Sequence, residues 1–186
     1  MITYSIIQKS QLAGTHRMDA EYYQPEYLTL MQLLKRMPTI ELNSIAFITD
    51  GIHASIDYDS QSNIRCLSAQ SVKDCYFDLI ANTYISEEQH KLNLRTNLKS
   101  GDVILSSVGT IGNCAVVPND VLPANADRHV AIIRVKSNML SPLYLSVFLN
   151  SKYGKFQPLR ESTGNVQLNL FIDKIKRLTI PVIKNH

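Results

Sequence analysis

The sequence predicts an α+β fold with a mainly β core and peripheral helices. Short apolar runs separated by turn residues fill residues 40–134, and helical periodicity is confined to the two ends of the chain. With 186 residues, 45% of them hydrophobic, the chain can form one domain with its own core. We therefore expect a helical lead-in over residues 1–40 and a β-rich core over residues 41–186.

The lead-in contains one predicted amphipathic helix. Pro25 suits the first helical turn, and apolar residues recur at helical spacing from Tyr27 to Leu34. The basic pair Lys35-Arg36 favours the end of a helix, and Pro38 stops it.

The core contains six predicted strands, separated by turn residues such as Asp50-Gly51 and Pro118-Asn119-Asp120. Residues 106–113 form the predicted tip of a hairpin, which favours a β-turn over the G-x-x-G phosphate loop that Gly109 and Gly112 also resemble. The predicted strands are Ile45–Ile48, Ile64–Leu67, Tyr76–Ile80, Val103–Leu105, Ala115–Val117 and Val130–Val135.

Three further helices are predicted outside these strands. Ser86 caps a short helix that reaches His90, and Ser141 with Pro142 begins a helix over residues 143–149. A polar loop over residues 160–167 then precedes a last short helix over residues 171–176.

Composition excludes several classes of protein. No apolar run approaches the roughly 20 residues of a membrane-spanning helix, and the first residues lack a signal-peptide pattern, so we expect a cytoplasmic location without membrane contact. Cys66, Cys75 and Cys114 are odd in number and lack C-x-x-C spacing, so we expect buried small hydrophobic residues without disulfide or zinc. The first 100 residues carry 9 basic and 11 acidic side chains, whereas residues 101–186 carry 10 basic and 5 acidic ones. A net positive second half is typical of a surface that binds a polyanion, and equally of a merely solvated surface.

Motifs for catalysis are missing from the sequence. It has no glycine-rich cofactor loop, no methyltransferase Asn/Asp-Pro-Pro-aromatic motif, no P-loop and no G-x-S-x-G turn. His53, His90 and His129 lack the spacing of metal ligands, and the neighbouring carboxylates Glu87-Glu88 suit a helix start. We therefore expect no catalytic residues, no metal site and no cofactor.

Several segments together resemble the target recognition domain of type I restriction–modification specificity subunits and of related single-chain restriction–methylation enzymes. They occur in that family's order over residues ~45–183. These segments are Asp50-Gly51-Ile52-His53, Cys66-Leu67-Ser68-Ala69-Gln70-Ser71-Val72-Lys73-Asp74, Tyr84-Ile85-Ser86, residues 99–112, Leu143-Tyr144-Leu145, Phe148-Leu149-Asn150-Ser151, residues 162–167 and Ile180-Pro181.

The sequence departs from the family pattern at defined positions. Ile52 replaces the usual Thr without a following Pro at position 54, Cys75 stands where Gly is common, and Ser107 where Arg is frequent. The long helices that separate and follow the family's two recognition domains are also missing. We expect the chain to be a fragment, a half-subunit or the recognition domain of a longer enzyme.

The resemblance implies double-stranded DNA binding without catalysis. Such a domain reads one half of a bipartite site, so that a methyltransferase subunit modifies DNA and a restriction/translocase subunit acts on unmodified sites. S-adenosylmethionine, ATP and Mg would belong to those partner subunits.

Two surfaces are the candidate DNA contacts, because their side chains can reach base edges or phosphates. The first combines residues 50–73 with the hairpin tip, and the second is the loop over residues 160–167 with two flanking lysines. The candidates are His53, Arg65, Gln70, Lys73, Ser107, Thr110, Asn113, Lys152, Lys155, Arg160, Ser162, Thr163, Asn165 and Gln167.

Other interpretations stay open from the sequence alone. The second loop equally suits a capped turn, Gln70 and Asn113 suit structural hydrogen bonds, and Arg65 and Lys73 suit exposed strand edges. A non-reading interaction module that assembles with a methyltransferase is the alternative function. A nuclease is a third possibility, which would require a metal-binding carboxylate cluster.

Overall fold

The computed structural model describes residues 4–12, 17–80, 83–136, 138, 140–164 and 167–182. Short 3₁₀ turns occupy Ala20–Tyr23, Leu94–Thr96 and Asn119–Val121. In the described part of the chain, no helix is both long and apolar enough to cross a membrane. The helices are α1 (Lys9–Leu12), α2 (Pro25–Lys35), α3 (Leu42–Ile45), α4 (Glu87–Leu92), α5 (Pro142–Asn150), α6 (Lys152–Glu161) and α7 (Ile172–Lys176).

Within the described residues, the strands form three sheets. An antiparallel sheet has the order β2–β8–β5–β6, a second sheet has the order β4–β3–β7 with β3 and β7 parallel, and β1 pairs with β9. The strands are β1 (Thr39–Glu41), β2 (Ala46–Asp50), β3 (Arg65–Leu67), β4 (Thr83–Tyr84), β5 (Val103–Ser106), β6 (Cys114–Val116), β7 (Ala124–Ala126), β8 (Val130–Val135) and β9 (Thr179–Pro181).

The antiparallel sheet is buried on both faces. Val103 and Leu105 of β5 pack into one apolar cluster with α3, α5 and α7, while Ile104 packs into a second cluster against β3 and β7. Ile132 and Ile133 of β8 divide between the same two clusters. Because successive strand residues face opposite sides, unbroken apolar runs such as these are required in a central layer. The result is three layers: helices, the antiparallel sheet and the smaller sheet.

Local capping explains where the main helices begin. Pro25 and Pro142 occupy first-turn positions, where a missing backbone N–H costs nothing. The Ser86, Ser141 and Ser151 hydroxyls accept hydrogen bonds from backbone N–H groups of α4, α5 and α6.

The predicted α+β fold is confirmed, with corrections to single elements. The six-strand prediction is right for five strands, with shifts of one or two residues, but Tyr76–Ile80 form only an isolated bridge between Val72 and Phe77. The predicted polar loop at 160–167 begins later, because Arg160 and Glu161 belong to α6. Helix α6 itself was not predicted, because Gly154 and Pro158 interrupt its helical pattern.

The prediction of three buried cysteines is right for two of them. Cys66 and Cys114 are buried, whereas Cys75 is exposed and has a φ of 70°. This left-handed conformation fits the resemblance, because Cys75 stands where the family often has Gly. Within the described chain all three cysteines are free.

Candidate functional site

Five chain segments meet at one end of the two larger sheets. They are residues 50–53 after β2, residues 68–70 after β3, the β5–β6 hairpin tip, the β7–β8 turn and residues 167–170 before α7. Loops held by a rigid scaffold are where binding residues concentrate in folded domains.

Gly51 brings the first of these segments against the β7–β8 turn. A Cβ at this position would lie 2.3 Å from the carbonyl oxygen of Ala126 and 2.1 Å from that of Asp127. The Ile52 N–H donates to the Ala126 carbonyl at 2.8 Å. Only glycine permits this approach, which explains the Asp-Gly pair in the sequence.

Backbone hydrogen bonds attach the hairpin to its neighbours on both sides. The Ser107 N–H donates to the His129 carbonyl at 3.0 Å, and the Ser107 carbonyl accepts from the Leu170 N–H at 2.8 Å. The Gly109 N–H donates to the Leu168 carbonyl at 3.0 Å. The hairpin tip, the β7–β8 turn and residues 167–170 are thus one connected unit.

Between these segments lie two adjoining cavities of about 450 Å³ and about 320 Å³, which share Val108, His129 and Gln167 in their walls. We call them together the loop groove. Its walls are formed by Asp50, His53, Tyr58, Cys66, Ser68, Ala69, Gln70, Thr83, Ser107, Val108, Gly109, Thr110, Asp127, Arg128, His129, Gln167, Asn169, Leu170, Phe171 and Ile172.

The loop groove brings together five of the predicted site residues. His53, Gln70, Thr110 and Gln167 are exposed in it, and each carries a hydrogen-bonding side chain. Ser107 also lines it but is 6% exposed, and its backbone holds the hairpin in place.

Three candidates from the first predicted surface lie outside the groove walls. Arg65 donates to the carbonyl of Val121 at 3.0 Å and to that of Asp120 at 3.3 Å. Lys73 lies 4.0 Å from the Asp78 carboxylate. Asn113 is half-buried and accepts a backbone hydrogen bond from Ser106 at 2.8 Å.

The two lysines of the second predicted surface are engaged in ion pairs. Lys152 Nζ lies 2.9 Å from Glu26 Oε1, and Lys155 Nζ lies 2.8 Å from Asp74 Oδ1. Exposed pairs of this kind are weak because water screens them, so a phosphate can replace the carboxylate at little cost.

The rest of that surface separates into two places. Gln167 belongs to the loop groove, whereas Arg160, Ser162 and Thr163 line another cavity beside the lead-in. The Ser162 hydroxyl donates to the Leu159 carbonyl at 2.7 Å at the end of α6, and Thr163 exchanges backbone hydrogen bonds with residue 169. Asn165 lies outside the described residues.

The sequence did not single out the β7–β8 turn, which supplies three groove residues. These residues lie between β7 and β8 and are Asp127, Arg128 and His129. The sequence signal that could have identified the turn is a polar triplet before a long apolar run. From the sequence, His129 was considered only as a metal ligand or a general base. Tyr58 and Phe171 also line the groove and are exposed aromatics.

Charge in the groove is organised by Asp50. Burial opposes ionisation of this carboxyl, but hydrogen bonds with His53 and Arg95 outweigh burial and lower its pKa. Arg95 Nη1 lies 2.7 Å from Asp50 Oδ1, and His53 Nε2 contacts the other oxygen. Burial raises the pKa of the Cys66 thiol to about 12, so this groove residue stays protonated and unreactive.

Among the described side chains, no group of three or more His, Cys, Asp or Glu is arranged to hold a metal ion. The groove instead presents amide, hydroxyl, imidazole and guanidinium groups beside exposed aromatic rings. These are groups that recognise a polar, anionic polymer by hydrogen bonds and contact.

Comparison with known proteins places the fold among restriction–modification proteins. The chain resembles a type I restriction–modification S subunit from M. genitalium (TM-score 0.52, 11% identity, 77% of this chain) and HsdS from Thermoanaerobacter tengcongensis (TM-score 0.56, 15% identity, 84%). It also resembles the type IIG restriction endonuclease BpuSI (TM-score 0.63, 8% identity, 97% of this chain). No protein-family model and no curated protein sequence matches it.

These likenesses confirm the resemblance to target recognition domains at the level of the fold. The chain spans 33% of the M. genitalium subunit, 39% of the T. tengcongensis subunit and 28% of BpuSI.

Proposed function

We propose that this domain binds double-stranded DNA sequence-specifically and reads one half of a bipartite site, using the loop groove. The observation that carries the proposal is the convergence of His53, Gln70, Thr110, His129 and Gln167 at one end of a rigid two-sheet scaffold. Amide, hydroxyl and imidazole groups are what direct readout of base edges requires.

Two further features support the proposal. Arg128 is exposed on the groove wall and has no acidic partner among the residues the structure describes, so it is available to a phosphate. The fold is also similar to that of S subunits.

The proposal includes the partners of such a domain. A methyltransferase subunit would supply S-adenosylmethionine chemistry, and a restriction/translocase subunit would use ATP and Mg. This chain would act in the cytoplasm without catalysing a reaction and without a cofactor of its own.

Selection of bound duplexes from a randomised DNA pool tests the proposal. We expect enrichment of a motif of ~3–5 base pairs, with affinity falling as salt rises. The variant Gln70→Ala/Gln167→Ala should lose enrichment at one or more positions while keeping most of its non-specific affinity. Gln32→Ala/Asn43→Ala, on exposed residues of α2 and α3 away from the groove, is the matched control.

The possible outcomes separate the candidate functions. Salt-dependent binding without enrichment would contradict sequence reading by this chain. Absence of binding at low salt would contradict the proposal altogether and favour the interaction module that assembles with a methyltransferase without reading DNA.

A further inference from the structure

His129 occupies the junction of the two cavities that make up the loop groove. It is the last residue of the β7–β8 turn, and its side chain is 39% exposed. Of the groove residues with hydrogen-bonding side chains, only His129 and Gln167 contribute to both cavities. A ligand that fills either cavity would therefore lie against His129.

One ring contact and two backbone contacts fix the position of His129. Its Nδ1 lies 2.8 Å from Asp127 Oδ2, and the His129 backbone N–H donates to Asp127 Oδ1 at 2.9 Å. The His129 carbonyl accepts from the Ser107 N–H at 3.0 Å. Asp127 is itself fixed, because its N–H donates to the Leu67 carbonyl at 2.9 Å. This ring loses little conformational entropy when it binds a partner.

The Asp127 contact decides which nitrogen carries the hydrogen. A carboxylate only accepts hydrogen bonds, so the shared hydrogen is on Nδ1 of His129. In the neutral ring, Nε2 then carries a lone pair and acts as an acceptor. His53 differs, because its Nε2 is already engaged by Asp50.

We propose that His129 is a specificity-determining residue that accepts a hydrogen bond from the exocyclic amino group of an adenine or a cytosine. This inference rests on the proposed function. In the major groove, the amino groups at adenine N6 and cytosine N4 donate hydrogen bonds. Guanine and thymine present acceptor atoms there, and an acceptor such as Nε2 of His129 cannot pair with them. Asp127 is a positioning residue, because it acts only by fixing the hydrogen on Nδ1.

Duplex selection at pH 8, above the ordinary range of imidazole, gives the first test. The wild-type chain should prefer adenine or cytosine at one position. His129→Ala should lose that preference, by ~10-fold, and keep the others. Gln32→Ala/Asn43→Ala, on exposed residues of α2 and α3 away from the groove, is the matched control and should retain that preference.

Two measurements do not depend on the alanine variant folding well. Replacing the preferred base by an analogue that lacks the amino group should weaken wild-type binding ~10-fold. Purine replaces adenine and 2-pyrimidinone replaces cytosine, so the analogue that weakens binding identifies the recognised base. Asp127→Asn offers an amide N–H to Nδ1, which moves the ring hydrogen to Nε2. The preference should then change to guanine or thymine, an effect that a purely structural role would not produce.

The outcomes keep this inference separate from the proposed function. No enrichment by the wild-type chain would contradict the proposed function itself. Enrichment that persists unchanged in His129→Ala, or wild-type indifference to removal of the amino group at every adenine and cytosine position, would overturn the role of His129 alone.

Discussion

Asp102 is a deeply buried acidic residue, and its side-chain contacts connect the start of β5 to β8. It is 1% exposed and accepts from Arg134 Nε and Nη2, both at 2.7 Å, and from the Lys99 N–H at 2.8 Å. The hydrogen bonds with Asp102 raise the pKa of the Arg134 guanidinium. Because Asp102 precedes β5 and Arg134 lies on β8, this pair fixes the start of the strand that carries the hairpin tip.

We predict that Asp102→Asn lowers the free energy of unfolding by about 3 kcal/mol, because it leaves a partly buried guanidinium without its charge partner. Asp120→Asn, on an exposed turn, should change it by less than about 0.5 kcal/mol. Denaturant titration of both variants measures the difference, and equal stabilities would contradict the role given to the pair.

At the scale of residues, the sequence predicted part of the loop groove. It identified His53, Gln70, Thr110 and Gln167 as hydrogen-bonding candidates, and the structure places all four in the groove. It could not identify His129, because the Asp127 contact that gives that ring its direction depends on how the turn folds.

Among the elements, the lead-in and α6 are joined through one aromatic ring. The Tyr22 ring lies 3.7 Å from the guanidinium carbon of Arg160 and 4.7 Å from that of Arg17. Arg160 Nε donates to the Tyr22 carbonyl at 3.0 Å, and the Tyr22 hydroxyl donates to Glu161 at 3.1 Å. Arg160, a sequence candidate for DNA contact, is thus engaged in attaching the lead-in.

We predict that Arg160→Ala destabilises the domain by about 2 kcal/mol, through loss of the cation–π contact and one hydrogen bond. Hydrogen exchange at residues 20–23 should accelerate with it. Arg160→Lys should restore only part of the stability, because an ammonium cannot stack on the ring as a guanidinium does.

Lys152→Ala, which removes an exposed ion pair with Glu26 and a 5.9 Å cation–π contact with Phe156 from the same helix, is the control and should change stability much less than Arg160→Ala. An Arg160→Ala variant as stable as this control, with a marked loss of DNA affinity, would return Arg160 to the set of DNA contacts.

A helix or strand could be predicted from the sequence when residues within it or next to it mark its position. Helices α2, α4 and α5 were recognised because Pro25, Ser86 and Ser141 mark their starts. The sequence did not predict four strands of two or three residues, which are β1, β4, β7 and β9. These strands owe their conformation to pairing with segments distant in sequence, so they lack a local pattern.

For the whole molecule, the basic balance of the second half is partly compensated within the fold. Lys152, Lys155 and Lys174 pair with acidic side chains, two of them from the first half. The orientation of a bound polyanion should therefore be set by where uncompensated cations lie. Arg128 stands on the groove wall, and Lys99 stands at the other end of β5; among the described residues, neither side-chain cation forms an ion pair.

This distribution predicts the salt dependence of DNA binding. If DNA lies on the groove end, Arg128→Gln removes one phosphate contact, so the slope of log K against log salt should become shallower by about 0.9. Lys99→Gln makes the same change in net charge and should leave the slope unaltered. Binding titrations from 50 mM to 200 mM salt compare the two variants. Equal slopes in both would mean that only net charge matters, and a shallower slope in Lys99→Gln alone would place DNA at the opposite end of the sheet.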